Sequence, residues 1–210
     1  MRCSPVERRS LVRLALVGTL LASAARPAMA QGAFFSPTFG VFIPSNELAN
    51  LASGAKGTYK LDVAFNVGLR LGLWFGSRVG MMATGDYSPT TLTVDSAGTV
   101  KKGDVTTFAG TGRLMFYLIP RKDVISLMLS GGVSVNAYSP KSFATKADYT
   151  DLGGVVGATL GIRLGPVVSF TLNADDNIYQ ASFTPTGSSS SGHAPTQNDI
   201  RLTAGVHFGG

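Results

Sequence analysis

The residues of this chain best suited to chemistry are seven charged side chains set in runs of small and apolar neighbours. They are Arg70, Arg113, Arg163 and Arg201, with Asp62, Asp86 and Asp175. Buried charge is tolerated only when it is paired and hydrogen-bonded. Such a set therefore builds either a structural ion-pair network or a path that selects anions. The two histidines suggest a different chemistry, acyl transfer, which needs a histidine, a nucleophile and an orienting acid. His193 lies beside Ser188–Ser191, but in the Ser/Gly-rich stretch "TGSSSSGHAPT", a poor platform for preorganised groups. His207 has Gly209 two positions on, where a nucleophile would be wanted. No catalytic residue is expected. Asp175, Asp176 and Asn177 carry oxygens of the kind calcium takes, and they are read instead as a solvated strand end. No P-loop, zinc spacing or dinucleotide fingerprint is present. The expectation is no cofactor and no metal.

The charged residues are positioned by runs with a period of two. "ISLMLSGGVSVNAY" (125–138) sets Ile125, Leu127, Leu129, Val133 and Val135 against Ser126, Ser130, Ser134 and Asn136. That alternation marks a strand with one apolar and one polar face. Similar runs occupy 61–75, 155–165, 167–175 and 199–208, with weaker ones near 33–43, 79–87 and 105–118. Eight strands are expected, with no sustained helical period beyond residue 30. Their connections alternate in length. Short ones fall at 76–78, 120–122 and 165–166, and long ones at about 44–58, 88–104, 139–151 and 181–198. The fold class read from this is all-β, an eight-stranded antiparallel up-and-down barrel.

Residues 1–30 read as a secretory signal peptide: four early arginines, an apolar run from Leu14 to Ala25, and Ala28-Met29-Ala30 as a cleavage site. The run is too short to cross a bilayer as a helix. The chain's one cysteine, Cys3, falls in this segment, so the remainder has no disulfide or thiolate site. The formal charge of +6 also depends on it. Setting aside five arginines and one glutamate leaves +2, too little to argue for a nucleic-acid partner. Charged residues make up 14% of the chain, against about 25% in soluble domains, so something other than water covers much of the surface.

Residues 31–210, with these alternating strands and connections, resemble the OmpA/OmpX-type eight-stranded outer-membrane β-barrels of Gram-negative bacteria. The resemblance implies outer-membrane lipid and lipopolysaccharide as surroundings, and short turns on the periplasmic side. It also implies handling by the barrel-assembly machinery. That machinery commonly reads a terminal aromatic, here Phe208, followed by Gly209 and Gly210. The polar strand faces hold Gly, Ser, Thr and Asn with a few Arg and Asp, and almost no Lys or Glu. Small groups fit the narrow inside of eight strands, so the Leu, Val and Phe rows must face lipid. On that register the arginines lie inside, Arg70, Arg113 and Arg163 toward the periplasm. The aspartates lie further toward the loops. Tyr59, Tyr87, Tyr138 and Tyr179 fall near the long connections. Trp74, Phe75, Phe116 and Phe208 fall near the short ones, so two aromatic girdles are expected. Small barrels of this shape include lipid A palmitoyltransferases and deacylases, whose chemistry the histidines do not support. The expected function is a non-enzymatic membrane scaffold with four outward loops serving envelope integrity, adhesion or recognition of an unknown extracellular ligand. The alternative is a narrow small-solute channel.

Overall fold

The computed structural model describes residues 32–45, 49–50, 57–96, 99–140, 149–182 and 196–209. The signal segment and His193 lie outside them. Ten strands are described: β1 Ala33–Pro44, β2 Ala49–Asn50, β3 Gly57–Leu61, β4 Ala64–Trp74, β5 Val79–Ser96, β6 Thr99–Ile119, β7 Ile125–Pro140, β8 Tyr149–Arg163, β9 Val168–Gln180 and β10 Thr196–Gly209. Eight of them close the barrel. Neighbours pair antiparallel from β4 through β10, and β1 joins the two ends by pairing with both β4 and β10. Closure leaves no wall strand with an open edge, as a bilayer requires.

The inside-out pattern holds through the wall. Leu69, Leu71, Leu129, Val133, Leu172 and Leu202 point outward and are uncovered by protein. Ser36, Thr38, Asn66, Thr84, Thr111, Ser134, Asn136 and Thr203 are buried within. The short turns lie at 75–78, 120–124 and 164–167, all at one end of the barrel.

Two features depart from the eight expected strands. The run expected over 61–75 is two strands, β3 and β4, parted at Asp62 and Val63. Leu61 is buried and Val63 is exposed although both numbers are odd, so the inside face changes there. A one-residue irregularity has this effect because side chains alternate with a period of exactly one residue per face. The Asp62 amide donates to Thr91 O at 2.9 Å, and Thr90 Oγ1 donates to Asp62 O at 2.6 Å, fixing the break. Second, much of the connection expected over 88–104 is strand. β5 and β6 stay paired up to Ser96 and Thr99. The pairing of β6 with β7 ends at Val105 and Pro140, so a hairpin stands beyond the rim. β3 covers one edge of it by pairing with β5 from Leu92 to Ser96.

Candidate functional site

The barrel interior carries every buried charge described above, and it is layered. At mid-height Asp175 of β9 reaches across the lumen. Its Oδ2 accepts from Arg70 Nη2 of β4, and its Oδ1 accepts from Arg113 Nη1 of β6. One carboxylate thus ties three strands that are not neighbours. Arg113 Nε donates to Thr111 Oγ1 at 2.8 Å, which lies 2.8 Å from Thr84 Oγ1. Asp86 accepts from Asn66 Nδ2 at 3.1 Å and from Thr84 Oγ1 at 3.3 Å. The local sequence makes the room. A Cβ at Gly157 would collide with Asp175 Oδ1 and lie 2.9 Å from Arg113 Nη1. A Cβ at Gly68 would collide with the Asp86 carboxylate. Glycine at both positions lets these head groups pass close to the wall, and a larger residue would push them aside.

Toward the loops the lumen becomes apolar. Phe42, Leu61, Leu92, Val94, Val105, Tyr138, Tyr179 and Ala181 form one buried cluster. Arg201 lies over the Phe42 ring at 4.9 Å, a cation–π contact. Asp199 Oδ2 accepts from Tyr179 OH at 2.8 Å and Tyr138 OH at 3.1 Å. At the short-turn end a second cluster comprises Phe34, Trp74, Met82, Met115, Tyr117 and Met128. Its rings stack in series: His207 on Phe34 at 4.4 Å, Phe34 on Trp74 at 5.7 Å, Trp74 on Tyr117 at 4.7 Å.

The structure brings Arg70, Arg113 and Asp175 together, with Asp86 in the adjoining hydrogen-bond set and Arg201 a layer above. Two expected members lie elsewhere. Arg163 is exposed at the short-turn rim and donates to Gly165 O at 3.2 Å and Lys122 O at 2.8 Å. It is the last residue of β8 and keeps the inward parity of the strand, but at the rim it lies below the ion-paired layer and lines the short-turn end of the lumen instead. Asp62 sits in the β3–β4 break and lies 3.7 Å from Lys102 Nζ, the two side chains being 42% and 64% exposed. The slip that buries Leu61 turns it out of the lumen. Asp175 is engaged by two arginines rather than being the solvated strand end expected, while Asp176 accepts from Asn198 Nδ2 at 3.2 Å.

The girdle assignment needs a larger correction. Trp74, Tyr138 and Tyr179 are buried in the lumen, with Trp74 only 1% exposed. Each shares parity with inward polar residues of its own strand: Trp74 with Arg70, Tyr138 with Asn136, Tyr179 with Asp175. Nearness to a rim does not decide the face of a side chain; parity does. Phe75, Tyr87, Phe116 and Phe208 do point outward. Phe35 joins them by stacking on Phe208 at 4.9 Å. Tyr59 lies in β3, with its side chain outside the described residues. Sequence reasoning missed Asp199, although its odd number matches Arg201 and Thr203 on the inward face.

A closed eight-stranded wall with an apolar exterior and a polar, ion-paired middle is the geometry of a membrane barrel, and residues 14–208 match the family described as outer membrane protein beta-barrel domain. The chain belongs to that family. It resides in the outer membrane of a Gram-negative-type bacterium, in contact with lipid and lipopolysaccharide. Among solved structures, OprG of Pseudomonas aeruginosa is similar, with a TM-score of 0.63 at 15% identity over 86% of this chain and 96% of that one. AlkL, determined in lipid bilayers, gives 0.54 at 11% identity over 86% and 90%. Neisserial surface protein A gives 0.51 at 11% over 85% and 96%. These likenesses concern the fold. No curated protein matches the chain.

Proposed function

We propose that this outer-membrane barrel is a non-enzymatic scaffold whose rigid wall holds outward connections for envelope integrity, adhesion or recognition. The observation that carries the reading is the obstructed lumen. Apolar side chains occupy both ends, and the Arg70–Asp175–Arg113 set bridges the middle. An ion crossing it would have to displace a buried carboxylate from two guanidinium groups, a step on the order of several kcal/mol. The hairpin of β5 and β6 stands beyond the rim on this support, paired as far as Ser96 and Thr99. An extracellular ligand would meet it there. The non-enzymatic reading draws on His207, whose ring stacks on Phe34 at the short-turn end.

Planar-bilayer recording tests the reading. The expected result is no unitary conductance from the folded protein. Steps that vanish on Arg113→Gln would replace the scaffold with the narrow channel. Mass spectra of lipid A from cells with and without the protein are expected to match; a changed acyl count would establish an enzyme. Residues 1–30 are proposed as the export signal, with a processed chain beginning at Gln31. Capture by the barrel-assembly machinery is proposed through the strand that ends near Phe208. N-terminal sequencing of the membrane fraction and crosslinking during assembly test the two.

A further inference from the structure

The short-turn end of the barrel contains a cavity of about 150 Å³ below the ion-paired layer. Its lining is one-sided in charge. Arg70, Arg121, Lys122 and Arg163 contribute to it, and among the described residues no Asp or Glu does. Asp123 belongs to the same turn as Arg121 and Lys122 but is exposed and does not line the cavity.

The deep part of this cavity is rich in buried donors without a protein partner. Arg70 gives one nitrogen to Asp175, yet its Nε and Nη1 are unpaired while the residue is 4% exposed. Trp74 Nε1, Ser36 Oγ and Thr171 Oγ1 are likewise buried and unpaired, and all three residues line the cavity. Donors of this kind are nearly always satisfied in a native protein, so their convergence calls for an acceptor. One wall is apolar and aromatic. It is the stack of Phe34, Trp74 and Tyr117, with Arg121 above the Trp74 ring at 5.7 Å. Two inward residues of one strand, Arg70 and Trp74, thus place a cation deep and a ring surface nearer the mouth, about 13 Å apart along the backbone.

We propose that this cavity is a binding site, open to the periplasmic side, for one small organic anion with a planar apolar body, of the aromatic carboxylate class. The carboxylate takes donors from Arg70 and its hydroxyl neighbours. The ring lies along the Phe34–Trp74–Tyr117 stack, and Arg121 and Lys122 draw the anion to the mouth. A volume of about 150 Å³ has room for a single-ring molecule. Nothing in this assignment requires passage through the barrel, so it stands apart from the scaffold reading.

The experiment uses benzoate and the folded protein in lipid nanodiscs. Trp74 is the chain's one tryptophan, so its fluorescence reports on the cavity wall. A saturable change with benzoate is expected, and none with benzyl alcohol at the same concentration. Arg70→Gln is expected to weaken benzoate about tenfold, the factor that losing a charge-assisted hydrogen bond brings. Because Arg70 also holds Asp175, Arg121→Gln on the turn serves as the second variant. It should weaken benzoate about threefold, as a partly exposed charge near the mouth does, with unchanged heat-modifiable gel migration. No saturable signal, equal binding of benzyl alcohol, or benzoate affinity unchanged in both variants would overturn the proposal. Inorganic phosphate binding more tightly than benzoate would overturn the apolar part, leaving a site that reads charge alone.

Discussion

The middle of the lumen and its loop end are built on opposite principles, although both are inward faces of the same strands. At mid-height three charges meet among threonines, asparagines and glycines, and each contact is directional. At the loop end Leu92, Val94, Val105 and Phe42 fill the space by shape. The difference follows from what surrounds each layer. A barrel wall in lipid cannot supply water at mid-height, so a charge there must find its partner across the lumen. Glycine must then stand where the partner's head group passes. Toward the loops the strands rise out of the membrane and the interior behaves like the core of a small soluble protein. Apolar burial of about 25 cal/mol per Å² is available there without ion pairing.

If this contrast is right, single substitutions in the two layers differ in size and in what rescues them. The largest effect belongs to Asp175→Ala, which leaves two buried arginines facing each other. A loss of about 3–5 kcal/mol is expected, read by urea unfolding in lipid with Trp74 fluorescence as the probe. Leu92→Ala at the loop end removes packing alone and should cost about 2–4 kcal/mol by the same measurement. Its loss should be recovered by a neighbouring enlargement, which the charge deletion would not allow. Gly157→Val crowds the Asp175–Arg113 contact and should cost about 1–3 kcal/mol. In the Asp175→Ala background that cost should shrink, and a double-mutant cycle reads the coupling. Tyr179→Phe removes one of two donors to Asp199 and should cost about 1 kcal/mol, since Tyr138 still donates. Lys102→Ala, at the exposed pair with Asp62, should change stability by less than about 0.5 kcal/mol. A large loss there would place the β3–β4 break, rather than the lumen, at the centre of the fold's stability.

Much of the wall was legible in the residues. The alternation in Ile125–Tyr138 gave the direction of nearly every side chain because lipid and lumen impose opposite demands on adjacent positions. Arg70, Arg113 and Asp175 were readable as a lumen set for the same reason. Trp74, Tyr138 and Tyr179 were misplaced where nearness to a rim was weighed above parity. The apolar filling at both ends was not readable from strand faces that were polar in the middle. Leu92 and Val94 alternate with Thr91 and Thr93 in the same manner as outward rows do. Parity with Thr84 and Asp86 on β5 places them inside, where the inward face turns from polar to apolar with height.

Composition and period by themselves determined an outer-membrane barrel: small polar groups inside, branched apolar groups toward lipid, short turns at one end. Tertiary structure alone decided which arginines share Asp175, that Arg163 and Asp62 leave the set, and that β5 and β6 continue past the rim. Those outcomes depend on distances across the lumen and on a one-residue slip at Asp62. Strand shear and register fix both, and pairing between chain segments that are far apart in sequence sets them.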